Sequence, residues 1–321
     1  VPRKGSSWAV NKDHILSLKR TDTRAPSSSR RRDYLGGTVK DVSVSEWKGW
    51  SKTAKHIYKL FRAGVEFWYD HQLPMEPYHM GLYLGDGSSS GGGVSITTAD
   101  REIVSEIKKL ASCFSLGVRK SKSKEQGKAA SYYIRKDEHK GSTRNPLRSV
   151  LRDLNLLGLT SGYKFIPFVY KTSSTEERLE LLAGLMDSDG HLTCNGYEYA
   201  SKSEELSSDV AYVCRSVGLA AYVSKKQIKG VKYYRVSVSG DTHRIPCRVK
   251  RKVANKRRQK KSVLCTGFDI RDLEVRDRYY GFSLTGDGRY LLDDFTVTHN
   301  TGKSMAYGIP AALRAFTTGK P

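Results

Sequence analysis

His79-Met-Gly-Leu-Tyr-Leu-Gly-Asp86-Gly87 and Leu182-Ala-Gly-Leu-Met-Asp-Ser-Asp189-Gly190 share one pattern, an apolar run relieved by small residues that closes on aspartate and glycine. Gly81 and Gly85 are four apart, as are Gly184 and Ser188, so each pair lies on one helical face where small residues let two backbones approach closely. The expectation is two motif helices packed against each other as the spine of a domain. Asp86 and Asp189 then fall near the carboxyl ends of those helices, where the macrodipole disfavours negative charge, so a compensating cation is expected nearby. Ser173 and Ser174, followed three residues on by Glu176 and Glu177, spell a capping box for the second helix. Leu73-Pro-Met-Glu-Pro77 sets a proline where the first should begin.

Counting from each aspartate exposes a repeat. Twelve residues after Asp86 comes Thr98, and twelve after Asp189 comes Ser201. Each is followed by a helix-like segment ending in glycine, Ile103 to Gly117 and Leu206 to Gly218, and then by β-like alternation at Tyr132-Tyr-Ile-Arg and Tyr233-Tyr-Arg-Val-Ser-Val-Ser. Helix, two strands, helix, two strands occurs twice, which predicts a pseudo-twofold α+β domain over residues 72–243.

Lys and Arg number 56 against 33 Asp and Glu in a chain of 321 residues, a net charge of +23, and this favours a polyanionic partner, nucleic acid first. No apolar run approaches the ~18 residues of a membrane span and no secretory leader is read, so a cytoplasmic or nucleoid-associated protein is expected, neither secreted nor in a membrane. The five cysteines, Cys113, Cys194, Cys214, Cys247 and Cys265, lack zinc-finger spacing and suggest neither a zinc site nor a disulfide framework. Thr21 to Arg32 reads as an exposed basic loop. Residues 244–261 hold ten Lys or Arg in eighteen positions and no acid. They read either as a solvated linker or as an arm that contacts phosphates.

The paired segments resemble the two copies of the LAGLIDADG motif of homing endonucleases. The resemblance implies that Asp86 and Asp189 meet at the pseudo-twofold axis and bind Mg²⁺ (or Mn²⁺) over scissile phosphates, with the Gly85 and Ser188 carbonyls as further ligands. It implies a monomeric nuclease acting on double-stranded DNA with a long asymmetric site. Leu84 stands where the family has a first aspartate, which makes the corresponding Asp187 structural. Lysines beside each metal in the family suggest Lys136 and Lys232. Arg244, Arg248, Lys250, Arg251, Lys252, Lys256, Arg257, Arg258, Lys225 and Lys226 are the expected DNA-contacting cations. Ser95, Thr97, Tyr197 and Tyr199 are expected to face the major groove.

Thr298-His299-Asn300-Thr301 resembles the downstream splice junction of an intein. The Asn300 side-chain amide can attack its own carbonyl, cyclise to a succinimide and release the segment that begins at Thr301, while His299 polarises the departing group. Thr301 would be the downstream nucleophile. Phe268-Asp-Ile-Arg-Asp-Leu-Glu-Val, Tyr279-Tyr-Gly-Phe282 and Tyr290 to Asn300 resemble the closing intein blocks, with Thr285-Gly-Asp-Gly288 as a hairpin turn. Gly5-Ser-Ser-Trp-Ala-Val-Asn-Lys-Asp-His14 resembles the block whose histidine polarises the upstream scissile amide, with Asn11 where threonine is usual. Val1 stands thirteen residues before His14, so the expectation is that the opening intein block is absent, through truncation or a complementing amino-terminal fragment. The isolated chain should then at most cleave before Thr301. No cofactor is expected for splicing.

Thr301-Gly-Lys-Ser304 resembles the second half of a P-loop of a helicase-like ATPase, without its first glycine. The expected architecture is mixed. An all-β Hint-type splicing domain in two sequence halves, 1–71 and 262–300, is interrupted by an α+β LAGLIDADG endonuclease at 72–243 and the basic segment 244–261, with residues 301–321 as extein flank. The alternative is a splicing or trans-splicing fragment whose nuclease domain binds DNA without cutting it.

Overall fold

The computed structural model describes residues 1–21, 37–68, 72–90, 93–121, 129–136, 145–256, 259, 261–274, 284 and 286–300. Arg257, Arg258, Thr301, the basic loop after Thr21, the Tyr279-to-Phe282 block and the P-loop-like segment lie outside them. The chain forms two compact units, a central one over Val65–Arg258 and a terminal one in which Val1–Gly64 joins the described residues from Gln259 onward.

The terminal unit begins with β1 (Ile15–Arg20), β2 (Val39–Ser43), α1 (Val44–Lys48), α2 (Lys52–Ile57) and β3 (Tyr58–Phe61). Ser43 and Ser51 cap the two short helices, each hydroxyl accepting a backbone N–H three residues on.

The central unit runs α3 (Pro77–Asp86), β4 (Gly87–Ser88), β5 (Val94–Thr98), α4 (Arg101–Cys113), β6 (Gly117–Lys120), β7 (Ala130–Arg135) and α5 (Pro146–Asp153). It continues with α6 (Phe168–Lys171), α7 (Thr175–Asp189), β8 (Gly190–Thr193), β9 (Gly196–Ser201), α8 (Glu204–Ser216), β10 (Ala220–Ile228) and β11 (Val231–Ser239). Its sheets have the orders β4-β5-β7-β6 and β8-β9-β11-β10, the same path in each repeat. Helix α3 is buried from Tyr78 to Leu84 and α7 from Leu181 to Asp187, the all-round burial of a central helix. By contrast α4 buries Ile103, Glu106, Ile107, Leu110 and Ala111, one stripe of a helix lying on a sheet. The capping box of α7 is Ser174 with Glu177.

The glycines do what their spacing predicts. A β-carbon on Gly184 would overlap the Tyr78 carbonyl oxygen and stand 3.0 Å from Gly81 Cα, and one on Gly81 would stand 2.9 Å from Gly184 Cα. The two motif helices therefore touch backbone to backbone.

The basic segment is not a free linker. Ile245, Cys247, Val249 and Ala254 are buried in the central core, and Lys250–Lys252 forms a 3₁₀ turn with Lys252 inside. Apolar residues alternating with the cations pull this stretch onto the domain.

The chain then returns to the terminal unit as β12 (Cys265–Thr266), β13 (Arg289–Leu291) and β14 (Val297–His299). The sheet there has the order β12-β3-β1-β14-β13, with β2 also paired to β1. It is antiparallel throughout. Helices α1 and α2 depart from the expected all-β composition: Ser43 and Ser51 start them, and Val44 and Trp47 anchor α1 in the core. Gly286 and Gly288 have positive φ and lead into β13, while the β13–β14 hairpin turns at Leu292 to Thr296. Among the described residues no helix is long and apolar enough to cross a membrane.

Candidate active site

Asp86 and Asp189 are the last residues of α3 and α7. Because Gly85 has no side chain, the second motif comes up against the first: a β-carbon there would overlap Ser188 Oγ and stand 3.5 Å from Asp189 Oδ2. The Asp189 carboxylate thus lies beside the residue preceding Asp86. Burial, and next the charge of Asp189, push the Asp86 carboxyl up to about 6, against the pull of Lys252 and Lys164. Burial raises Asp189 as well, with Lys164 and Lys252 opposing. Two acids held this way resist ionisation and favour a cation between them.

The compensating cations are Lys164 and Lys252. Lys164 Nζ donates to the carbonyl oxygens of Tyr83 (2.7 Å), Leu84 (3.1 Å), Gly85 (3.4 Å) and Gly87 (2.7 Å). Lys252 Nζ donates to those of Met186 (3.0 Å), Asp187 (2.7 Å) and Ser188 (2.9 Å). Each ammonium therefore satisfies the orphan carbonyls of one motif helix and carries its charge to the aspartates. Burial pushes Lys164 down to about 8 and also lowers Lys252.

Both lysines are fixed from behind. The Lys164 carbonyl accepts from Ser203 Oγ (2.7 Å), and Asp209 Oδ2 accepts the Ile166 N–H (2.8 Å), so α8 holds that loop. The Lys252 carbonyl accepts from the Tyr197 hydroxyl (2.6 Å). Asp187 Oδ2 takes the Arg248 N–H (2.6 Å), the Val249 N–H (3.3 Å) and the Tyr78 hydroxyl (2.8 Å). Asp187 is thus a clamp on the segment that carries Lys252.

Several expected roles are corrected by this geometry. The cations that bear most on the aspartates are Lys164 and Lys252; Lys136 stands half-buried after β7 and Lys232 exposed in β11. Lys252 is buried and spent on carbonyls, so it is no free phosphate arm. Tyr197 and Tyr199 are 1% and 0% exposed, on the core face of β9, and do not face a groove. The outward residues of that strand include Glu198 and Ala200. Ser95 and Thr97 do lie on the less buried face of β5, with Thr97 Oγ1 and Ser131 Oγ 2.8 Å apart. Arg248 stacks on Tyr78 at 3.6 Å and pairs with Glu106 and with Glu180 (3.0 Å), while Arg251 pairs with Asp100. Arg244 donates to the Val217 carbonyl at the end of α8. Lys225, Lys226, Lys250 and Lys256 remain exposed, Lys225 beside Glu204 (3.0 Å).

The LAGLIDADG-like domain model matches residues 80–154 and 176–245, one match for each repeat. The chain carries a two-repeat LAGLIDADG-like domain. Replicative DNA helicase DnaB of Mycobacterium intracellulare is 30% identical over 162 residues, 50% of this chain and 22% of that protein. The chain thus matches about a fifth of the curated relative's length. Among solved structures, mesophilic variants of the homing endonuclease I-DmoI share 13% identity over 51% of this chain and 87% of theirs, with a TM-score of 0.37. I-DmoI in complex with DNA and Mn has 14% identity, coverage of 51% and 88%, and the same score. The amino-terminal LAGLIDADG domain of DUF199/WhiA has 9% identity, coverage of 55% and 87%, and a score of 0.36.

The terminal unit gathers a second set of groups. Ile15 pairs with His299 across β1 and β14, which brings His14 beside the end of the chain's last described strand. His14 Nε2 and Thr298 Oγ1 are 2.7 Å apart. Burial, then the charge of His299, lowers the His14 pKa. His299 Nδ1 is 2.5 Å from the Asn300 carbonyl oxygen, and the Asn300 N–H donates to the Gly288 carbonyl (2.8 Å). Gly288 has φ +71°, and a β-carbon there would press on the His299 ring. His299 thus sits against the carbonyl of the residue that follows it.

Proposed function

We propose that the central unit is a divalent-metal-dependent endonuclease that makes site-specific double-strand cuts, carried within a protein-splicing element. The single observation that supports it most is the pair of buried carboxylates at the ends of two touching helices, each helix crowned by its own lysine.

The donor set suits magnesium. Two carboxylates offer hard ligands, whereas the Gly85 and Ser188 carbonyls expected beside them accept instead from Lys164 (3.4 Å) and Lys252 (2.9 Å), and among the described residues no group of three or more His, Cys, Asp or Glu converges into an all-protein cage. Mg²⁺ is commonly bound by one or two carboxylates completed by water and substrate phosphate. Asp86 and Asp189 would hold the ion, which, when bound, supplies Lewis acidity toward a phosphodiester oxygen and an acidified water. Lys164 and Lys252 keep positive charge beside the carboxylates, where a phosphodiester gains negative charge on hydrolysis. The net charge of +23 and the exposed cations on β10 and after the Lys250 turn support binding of a DNA duplex.

For the terminal unit the reading is autocatalytic cleavage. The Asn300 side-chain nitrogen attacks the Asn300 carbonyl carbon, the bond to Thr301 breaks, and the products are a succinimide and a free Thr301 amine. His299 Nδ1, beside the carbonyl oxygen, can donate a hydrogen bond to it as its charge grows. The resemblance of Thr301-Gly-Lys-Ser304 to half a P-loop, together with the helicase relative, supports insertion in a DnaB-type host.

The test is incubation with a plasmid carrying an uninterrupted DnaB-type P-loop coding sequence, with Mg²⁺ or with chelator. Linear product that requires Mg²⁺ supports the nuclease. Retarded but uncut DNA supports instead a domain that binds and has lost cutting.

A further inference from the structure

In the terminal unit a side-chain tie joins two strands that are not neighbours. The strands β14 and β1 stand between β13 and β2 in the sheet. Even so, Arg289, the first residue of β13, reaches Asp41 of β2: its Nη2 donates to Asp41 Oδ2 (2.7 Å) and its Nε to Oδ1 (3.4 Å). The buried Ser17 of β1 donates its hydroxyl to the same Oδ1 (2.6 Å). The third guanidinium nitrogen of Arg289, Nη1, donates to Asp287 Oδ2 (2.9 Å), and Asp287 Oδ1 accepts the Arg289 N–H (3.1 Å).

What the tie holds is the turn beside His299 and Asn300. Gly288 lies between Asp287 and Arg289, and its carbonyl accepts the Asn300 N–H (2.8 Å). Its φ of +71° and the His299 ring packed against it leave no place for a side chain. Arg289 itself pairs with His299 across β13 and β14. The Asp41 carboxyl lies below its ordinary value: burial would raise it, but hydrogen bonds from Arg289 and Ser17, then the charges of Arg289 and His299, outweigh that. The Arg289 and Asp41 side chains are 30% and 31% exposed, so solvent keeps the worth of their ion pair to overall stability small. Its fork geometry fixes direction instead.

We propose that Arg289, anchored by Asp41, is a positioning residue for cleavage after Asn300. Cyclisation requires the Asn300 side-chain nitrogen to meet its own carbonyl carbon, and its rate depends on how closely the backbone is held while it does so. The Gly288 carbonyl holds residue 300 at its N–H, and the Asp41–Arg289 pair keeps that carbonyl in place. A residue of the amino-terminal stretch thereby sets the reactivity of the junction. The inference rests on the cleavage reading of the terminal unit.

The experiment follows release of the segment beginning at Thr301 by mass spectrometry of the full chain, in wild type, Arg289→Met, Asp41→Asn and the double variant. Arg289→Met should cleave about 10- to 100-fold more slowly. Asp41→Asn should also be slowed, and the double variant should be no slower than Arg289→Met alone, the non-additivity of a shared tie. Arg289→Lys, which keeps a cation for Asp41, should recover part of the loss. Unchanged cleavage in Arg289→Met, no recovery with lysine, or losses that multiply in the double variant overturn the proposal. A second measurement uses Asn300→Ala, which lacks the attacking amide, and reads hydrogen exchange at the residue-300 N–H. Adding Arg289→Met should speed that exchange while the buried Leu16 and Leu18 of β1 keep their protection. Equal loss at all three positions is a general loosening and overturns the proposal. If wild type releases nothing, the cleavage reading fails, and the residue-300 amide alone decides the clamp: exchange indifferent to Arg289→Met overturns it.

Discussion

His14 Nε2 and Thr298 Oγ1 stand 2.7 Å apart although 284 positions separate them in the chain. The contact is possible because β14 lies between β1 and β13 in one sheet, so the first and last described stretches of the sequence build a single unit while the stretch between them forms a second one. A domain inserted into another requires this arrangement, and it brings the two histidines singled out in the sequence into each other's field.

Thr298 is fully buried, so Thr298→Val should keep the packing and remove the tie. Leaving the half-buried His14 nitrogen unpaired should cost about 1–3 kcal/mol. Hydrogen exchange of the β1 and β14 amides measures this. Thr298→Ser should restore most of the protection, and an unchanged valine variant would show that the tie carries no energy.

Release of the segment beginning at Thr301 should depend on Asn300. Mass spectrometry of the purified chain should show no cleavage in Asn300→Ala, because no other side chain can form the succinimide. His299→Ala should slow cleavage by about 10²- to 10⁴-fold, the usual worth of a positioned acid or base.

Gly184→Ala should be among the most damaging small substitutions in the protein, since the added carbon meets the Tyr78 carbonyl oxygen of the facing helix. Forcing the helices apart should cost about 1–3 kcal/mol or more, read as a lowered urea midpoint of the central unit. Gly162→Ala, where an added carbon meets nothing within 4 Å, is the control and should stay within about 0.5 kcal/mol of wild type.

The raised acids predict a pH dependence in the metal-free protein. With Asp86 at about 6 when folded, against an ordinary 3.8, the folded state binds more protons than the unfolded chain between those values. Stability should therefore fall as pH rises from about 4 to about 6, by a few kcal/mol at most. Mg²⁺ that binds only the ionised, folded site should recover it. Lys164→Met removes a charge that opposes the shift, so the decline should extend to higher pH. Thermal midpoints across this range, with and without Mg²⁺, provide the measurement.

Much of this was legible locally. The motif helices, the box at Ser174 and the doubled order of elements all rest on short-range spacing, and each has its counterpart in the central unit. Lys164 and Lys252 were not legible, because what marks them is a loop folded back onto a helix end many residues away, in a chain crowded with lysine. The demand for a cation at each helix end was the available signal, and it named a charge without naming a residue. Tyr199 was misplaced although the information was present. The count that matches Thr98 with Ser201 also matches Ile96 with Tyr199, and an isoleucine at that position announces a core face. The basic segment misled because charge hid the alternating Ile245, Cys247 and Val249 that dock it.

The claim on which the rest depends is that Asp86 and Asp189 share a metal site. Anomalous diffraction from crystals of the protein with target DNA and Mn²⁺ tests it most directly. The account predicts a manganese peak with carboxylate oxygens of both Asp86 and Asp189 about 2 Å away, at the phosphates between the two motif helices. A peak bound by neither aspartate, or carboxylates turned away from the DNA with no metal between them, would contradict it.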